Sequence, residues 1–297
     1  MIKRIVDISE QAYLHILNKQ LNVDKNGQTV AKIAIEDLGI LILQHPAITI
    51  TQSVITLCQH NNVAIIFCDE RHLPLSITLP LCSGHSLHTK VLKQQIASKI
   101  PRRKRLWQQV IKAKISEQVT TIEQAGMESN KLRSLAANVK SGDPENLESQ
   151  AAQVYWKKLM GNKFRRDTKA EGINSVLNYG YSIMRAMVAR ALVGTGLHPA
   201  IGLHHRNQYN GLCLADDIME PFRPWVDAII HMEKQSKPKI QVNKEIKQKL
   251  LGMLSQQVDY NGKKMPLMIS INYLVAQLKY SLTETYKPLY YPTRLIE

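Results

Sequence analysis

Leu81-Cys82-Ser83-Gly84-His85-Ser86-Leu87-His88-Thr89 divides this chain into two kinds of text. Before it, the sequence reads as short strands and turns. Tyr13–Leu17 and Thr29–Ile35 alternate or run apolar, and Lys25-Asn26-Gly27-Gln28 between them has hairpin chemistry. Gly39–Leu43 and Val63–Cys68 are β-branched apolar runs of strand length, with a short helix expected over Ser53–His60 between them. Pro74 and Pro80 bracket a last strand, Leu75–Leu79. After it, the apolar spacing turns helical. Val91, Leu92, Ile96 and Ile100 recur at helical steps, Pro101 interrupts, and Leu106, Val110, Ile111 and Ile115 resume. Thr89 is the expected cap of the first helix, and Asp143-Pro144 the expected start of a later one. Ile173–Val193 is mostly apolar with few charges, which predicts a buried central helix. Ile246–Leu254 and Pro266–Thr283 supply further amphipathic segments. The fold class expected is α+β: a small, mostly-β N-terminal domain over residues 1–80, a linker over 81–89, and a larger all-α domain over 90–297.

The charge distribution narrows the function. The chain carries a net +15, yet residues 1–70 hold five Lys/Arg against seven Asp/Glu, so the remainder carries +17. From Arg71 to Ser116 there is no acidic side chain, while Lys90, Lys93, Lys99, Arg102, Arg103, Lys104, Arg105, Lys112 and Lys114 crowd together. Lys157, Lys158, Lys163, Arg165 and Arg166 form a second cluster, and Lys234, Lys237, Lys239, Lys244, Lys247 and Lys249 a third. Such a field attracts polyanions by neutralising phosphates and releasing their counterions. A single cluster is as well explained by a solvated helix face; three together favour nucleic acid. We place DNA contacts at Lys99, Arg102, Arg103, Lys104, Arg105, Lys163, Arg165 and Arg166. No apolar run approaches the ~18 residues of a membrane span, and acid and base interrupt the N-terminus where a signal peptide would be apolar. A cytoplasmic protein without membrane association is expected. Cys58, Cys68, Cys82 and Cys213 lack zinc-knuckle spacing and read as buried thiols.

The chemistry concentrates in residues 196–224, Gly-Leu-His-Pro-Ala-Ile-Gly-Leu-His-His-Arg-Asn-Gln-Tyr-Asn-Gly-Leu-Cys-Leu-Ala-Asp-Asp-Ile-Met-Glu-Pro-Phe-Arg-Pro. A histidine pair followed by Asp216, Asp217 and Glu220 near a cationic surface suits a divalent ion for phosphodiester chemistry. Oxygen donors favour magnesium or manganese, and one imidazole leans toward manganese. Duller explanations weigh equally at this point. A lone histidine is usually a satisfied buried one, and Asp217 with Glu220 has capping-box spacing. Glu148 lies on a mostly apolar face with Ala152, Tyr155 and Leu159, where an unpaired charge is costly; a metal or an arginine resolves that cost equally well.

These motifs resemble the signature of the CRISPR-associated adaptation integrases. That family reads glycine-leucine-aspartate-proline, then glycine-aromatic-leucine-histidine, then aspartate-leucine-x-glutamate-x-phenylalanine-arginine-proline. Alignment on Pro199 and Gly202 implies that His205, not His204, is a metal ligand and that Glu220 is another. Glu148 falls where the family has its first acid, shortly before the aromatic pair Tyr155-Trp156. Leu177-Asn178-Tyr179-Gly180-Tyr181 is similar to the family's leucine-asparagine-x-x-tyrosine helix, and Asn62–Asp69 to the last strands of its β domain. Asp217, His204, Asn178 and Tyr181 become auxiliary residues around the ligands. His198 and Leu203 depart from the pattern, replacing an aspartate and an aromatic without removing a ligand.

The resemblance implies a metal-dependent DNA integrase whose all-α domain is catalytic, with Mg2+ or Mn2+ held by Glu148, His205 and Glu220. A 3′ hydroxyl of a short foreign double-stranded fragment would attack a phosphodiester at the CRISPR repeat edge, without ATP. It also implies a homodimer, working with a small ferredoxin-like adaptation partner. The Glu-Pro-Phe-Arg-Pro form is most similar to type II systems, where the effector nuclease and a ring-shaped DNA-end-binding protein are further expected partners. Two rivals are a metal-dependent endonuclease acting on branched or single-stranded DNA, and a non-enzymatic DNA-binding scaffold whose acids only cap helices.

Overall fold

A computed structural model describes residues 3–80, 85–236 and 240–295. Leu81–Gly84 of the linker, together with Lys237 and Lys239 of the third basic cluster, lie outside the described residues.

The N-terminal region forms two four-stranded sheets. Strands β2 (Tyr13–Leu17), β3 (Gln20–Lys25) and β4 (Gln28–Ala34) make an antiparallel meander, closed by β6 (Thr49–Ile50) alongside β2. Positive φ at both Asn26 and Gly27 gives the turn that a right-twisted hairpin prefers. A second such turn at Asn18-Lys19 (φ 51° and 59°), which no glycine marks in the sequence, inserts β3 between the two expected strands. The other sheet runs β1 (Arg4–Ile8), β5 (Leu38–Leu43), β7 (Ala64–Cys68), β8 (Pro74–Thr78); the first three are parallel, with α1 (Gln52–His60) leading into β7.

Strands β5 and β7 explain how the two halves join. Their side chains alternate between two cores: Leu38, Leu41, Leu43 and Ile65 face the β core, whereas Ile40, Ile42, Ala64 and Ile66 belong to the helical core. A strand buried on both faces must be apolar throughout, which accounts for the unbroken Leu38–Leu43 run.

The helical region comprises α2 (His88–Ala97), α3 (Ile100–Gln124), α4 (Asn130–Asn138), α5 (Leu147–Met160), α6 (Ile173–Gly194), α7 (Cys213–Met219), α8 (Arg223–Ser236), α9 (Lys244–Gly252) and α10 (Leu267–Thr283). Helix α6 is buried along nearly its whole length, as its apolar text requires. The long α3 runs against α4, α5, α8 and the turn Glu220–Phe222. A small sheet of β9 (Gln257–Tyr260), β10 (Lys263–Pro266) and β11 (Thr293–Arg294) adds a strand element to this helical half.

Two helix starts differ from expectation. Helix α2 begins at His88, and its N-cap Leu87 makes no side-chain bond, so Thr89 is inside the first turn rather than capping it. Helix α5 begins at Leu147 instead of Pro144. Asn146, left-handed at φ 51°, caps Ser149, and the Asp143 carboxylate accepts from Leu147 N (2.9 Å) and Glu148 N (3.0 Å). Asp143 therefore does cap this helix, from one turn farther back.

Candidate metal centre

Four elements converge beside α3. The first turn of α5 delivers Glu148, the turn after α7 delivers Glu220, the loop before α7 delivers His205, and α7 itself carries Asp217.

Asp217 organises the loop. It is fully buried; its carboxylate accepts the backbone N–H groups of Leu203, His204 (3.0 Å) and His205 (3.3 Å), and contacts His205 Nδ1 at 2.6 Å. The chain winds this tightly only because residue 202 is glycine: a Cβ there would lie 2.4 Å from the His205 carbonyl oxygen and 2.8 Å from Asp217 Oδ2. Asp217 sits inside α7, whose N-cap is Leu212. The capping-box explanation of Asp217 and Glu220 is therefore overturned. With Nδ1 taken by a carboxylate, Nε2 is the nitrogen left for a ligand, the orientation seen in carboxylate–histidine–metal arrangements. The Asp217 bond raises the His205 pKa against the effect of burial, and Glu220 and Glu148 are close enough for their charges to act in the same direction. His204 is placed differently: its ring stacks flat on Trp107, 4.5 Å between centroids, while His205 meets Trp107 edge-on at 5.7 Å.

Glu148 and Glu220 are joined by a residue the sequence showed only as one charge among many. Lys114 Nζ lies 2.6 Å from Glu148 Oε1 and 2.6 Å from Glu220 Oε2. Arg223 Nε takes the other Glu220 oxygen at 2.8 Å. Burial works to raise the Glu220 pKa, but Arg223 and Lys114 outweigh it and hold the carboxyl at about 2. Burial likewise works to lower the Lys114 pKa, and the two carboxylates reverse it, so the ammonium stays charged. The two acids thus have a cation between them and no crowding to relieve.

The auxiliary residues separate into two groups. Asp217 is in the centre. Tyr181 is adjacent: its hydroxyl and that of Tyr155 (2.9 Å) both donate to the fully buried Asp227, and Arg223 lies 4.6 Å over the Tyr181 ring. A cavity of about 200 Å³ connects Lys114, Glu220, Tyr181 and Arg166. Asn178 stands off from the carboxylates, accepting from Arg166 at 2.5 Å and donating to the Thr168 carbonyl at 2.7 Å.

Among the expected DNA-binding residues, Lys99, Lys104, Arg105, Lys163 and Arg165 are exposed. Arg102, Arg103 and Arg166 are half-buried and engaged. Arg102 donates to the Leu282 carbonyl (3.1 Å), Arg103 to those of Gln95 (2.9 Å) and Ile96 (3.0 Å), and Arg166 to Asn174 (3.0 Å). Those three guanidinium groups tie helices and loops together.

Among the described residues, no three His, Cys, Asp or Glu side chains close around a single point as they stand. The donor chemistry still fits a hard divalent ion. Two carboxylates share one cation, and an imidazole with its second nitrogen anchored stands beside them.

A family model described as CRISPR associated protein Cas1 matches residues 6–249. The chain belongs to this family. It is 33% identical over 287 residues, 96% of this chain and 93% of its relative, to a CRISPR-associated endonuclease Cas1 of Neisseria meningitidis serogroup C (strain 8013). Two solved structures share the Cas1-like fold. A casposase bound to integration product aligns with TM-score 0.76 and 21% identity, over 100% of this chain and 96% of that one. A Cas6-RT-Cas1–Cas2 complex aligns with TM-score 0.74 and 18% identity, over 97% of this chain and 36% of that chain. Membership in the Cas1 family makes the chain a DNA nuclease or integrase in the broad sense. Among the described residues, no helix is long and apolar enough to cross a membrane.

Proposed function

We propose that this chain is a metal-dependent integrase that joins the 3′-OH ends of short foreign DNA fragments to the CRISPR repeat by transesterification. The observation that carries this is the pair Glu148–Glu220 sharing one cation beside an imidazole anchored by Asp217. Glu148, Glu220 and His205 would hold Mg2+ or Mn2+, which supplies Lewis acidity toward a phosphodiester. Asp217 keeps the His205 tautomer and orientation, and Arg223 holds Glu220 ionised. Exposed Lys99, Lys104, Arg105, Lys163 and Arg165 would bind duplex phosphates.

The working assembly in this proposal is a homodimer bound to a small ferredoxin-like partner in the cytoplasm. The similarity to a chain solved in a complex with Cas2 supports the small partner in this assembly. The type II effector nuclease and a ring-shaped end-binding protein belong to the same proposal, on the strength of the Glu-Pro-Phe-Arg-Pro motif.

The test is strand joining with a labelled fragment, a supercoiled repeat plasmid, the partner and Mn2+. Replacing Glu148, His205 or Glu220 by alanine should abolish joined product while duplex binding persists. A fragment blocked at its 3′ end should bind and give no product. Equal target cleavage by blocked and free fragments would mean that water is the nucleophile and the chain is an endonuclease.

A further inference from the structure

We propose that Lys114 is the built-in counter-ion of this centre, that a divalent ion must displace it, and that DNA receives it, so that ion and DNA bind cooperatively. The inference rests on the metal centre proposed above and concerns how that centre is controlled.

The geometry sets up a direct conflict. Lys114 Nζ sits 2.6 Å from both Glu148 Oε1 and Glu220 Oε2. An ion held by Glu148 and Glu220 would need the carboxylate oxygens that Lys114 now occupies, so ammonium and ion compete for the position. Glu220 has no spare oxygen to offer, because Arg223 Nε holds Oε1 at 2.8 Å. Nor does the ammonium retreat freely to water: the Lys114 side chain is only 12% exposed and springs from a helix between buried Ile111 and Ile115. Swinging it away from the carboxylates leaves a largely buried cation without a partner, which opposes ion binding. The cavity beside it also carries Arg166 and Arg223, whose charges disfavour a displaced ammonium and attract an anion. Its acceptors are Asp227, already engaged by Tyr155 and Tyr181, and the neutral Gln118 Oε1, neither of which replaces two carboxylates. A DNA phosphate entering this cavity supplies the missing partner. Lysine suits the role, being a compact charge on a flexible four-carbon stem that can exchange one set of oxygens for another.

Coupling of this kind is reciprocal and typically about 5- to 150-fold. The test titrates the full chain with Mn2+, following the free ion by electron paramagnetic resonance, with and without a short DNA duplex. Signal retained by Glu148→Gln is subtracted as ion bound elsewhere. In the wild type, the duplex should raise Mn2+ affinity within that range. Lys114→Met should bind Mn2+ more tightly than wild type without DNA, and the duplex should add little. Lys114→Arg, whose fork can grip both carboxylates, should bind Mn2+ more weakly than wild type without DNA.

A phosphate that simply ligated the ion would raise affinity equally in wild type and Lys114→Met; that result overturns the counter-ion role. So does wild-type affinity indifferent to the duplex, and this comparison stands even if Lys114→Met fails to fold. In both cases the metal centre itself survives. No Mn2+ bound at the Glu148 site in any variant, with or without duplex, removes the centre and the inference together.

Discussion

Asp227 shows how one residue's surroundings set a measurable property of the whole protein. Burial lifts its carboxyl to about 7, against hydrogen bonds from Tyr181 and Tyr155 and the charges of Arg223 and Arg166, which act in the opposite direction. In the unfolded chain the same group titrates near ~3.9. Between these values the folded state binds the extra proton, so stability falls as pH rises from about 4 to about 7 and is insensitive to this group outside that window. At ~1.4 kcal/mol per unit the span is on the order of 4 kcal/mol. Urea unfolding of wild type and Asp227→Asn across this range should show the difference between them narrowing or reversing toward pH 7; a constant difference would show that Asp227 ionises normally. Nothing in the sequence marks Asp227, since its partners Tyr155 and Tyr181 lie 72 and 46 residues away. Lys114 was hidden for a related reason: within a basic run, one lysine looks like its neighbours, and only the packing of α3 against α5 and the Glu220 turn singles it out. Glu148, His205 and Glu220 were singled out by the family resemblance rather than by spacing, and the structure brings their side chains together around Lys114 and Asp217.

At the scale of elements, what could be read was whatever periodicity or turn chemistry enforces locally. Strands β2, β4, β5, β7 and β8 and helices α1, α3, α6, α9 and α10 follow from apolar spacing and turn residues. Strand β3 escaped because Asn22 interrupts its apolar text; Asn22 is buried, its amide satisfied by the Gln20 carbonyl at 3.1 Å. Strands β9 and β10 are only four residues each, too short for alternation to show, despite the Asn261-Gly262 turn between them. The start of α5 was misplaced by three residues because Asp143 caps at a distance, through a turn in which Asp143 and Asn146 both take positive φ. This arrangement matters for the site, since Glu148 is the second residue of the helix and Asp143 holds its backbone N–H. Asp143→Ala should cost about 1 kcal/mol in chemical denaturation, the usual value of a lost helix cap. Strand joining should fall more than stability alone explains, because Glu148 loses its anchor. A variant that joins strands at the wild-type rate while losing that stability would show that Lys114 alone suffices to place Glu148.

For the whole molecule, the decisive property is where the +15 net charge lies and which of its members are free to meet DNA. The structure separates the basic residues into those already committed and those facing solvent. Arg102 and Arg103 clamp the start of α3 to the ends of α10 and α2, whereas Lys99, at the N-cap, and Lys104 and Arg105, in the second turn, are exposed. Lys163 and Arg165 are likewise exposed, while Arg166 holds Asn174 and Asn178. Adjacent arginines and lysines should therefore fail in different ways. Each duplex phosphate neutralised contributes about −0.9 to the slope of log affinity against log salt. Converting Lys99, Lys104 and Arg105 to glutamine should flatten that slope by up to about three such contributions, weaken binding to duplexes of any sequence, and leave the melting temperature nearly unchanged. Converting Arg102 and Arg103 instead removes three hydrogen bonds to carbonyls, each worth about 1.5–3 kcal/mol when the donor is charged. That variant should melt lower and keep most of its salt slope. Filter binding from low to moderate salt, with thermal melting of the same preparations, separates the two. If the exposed triple variant keeps the wild-type slope, this face of α3 is a solvated surface and DNA lies elsewhere on the molecule. If Arg102 and Arg103 carry the slope instead, their carbonyl contacts must give way when DNA binds.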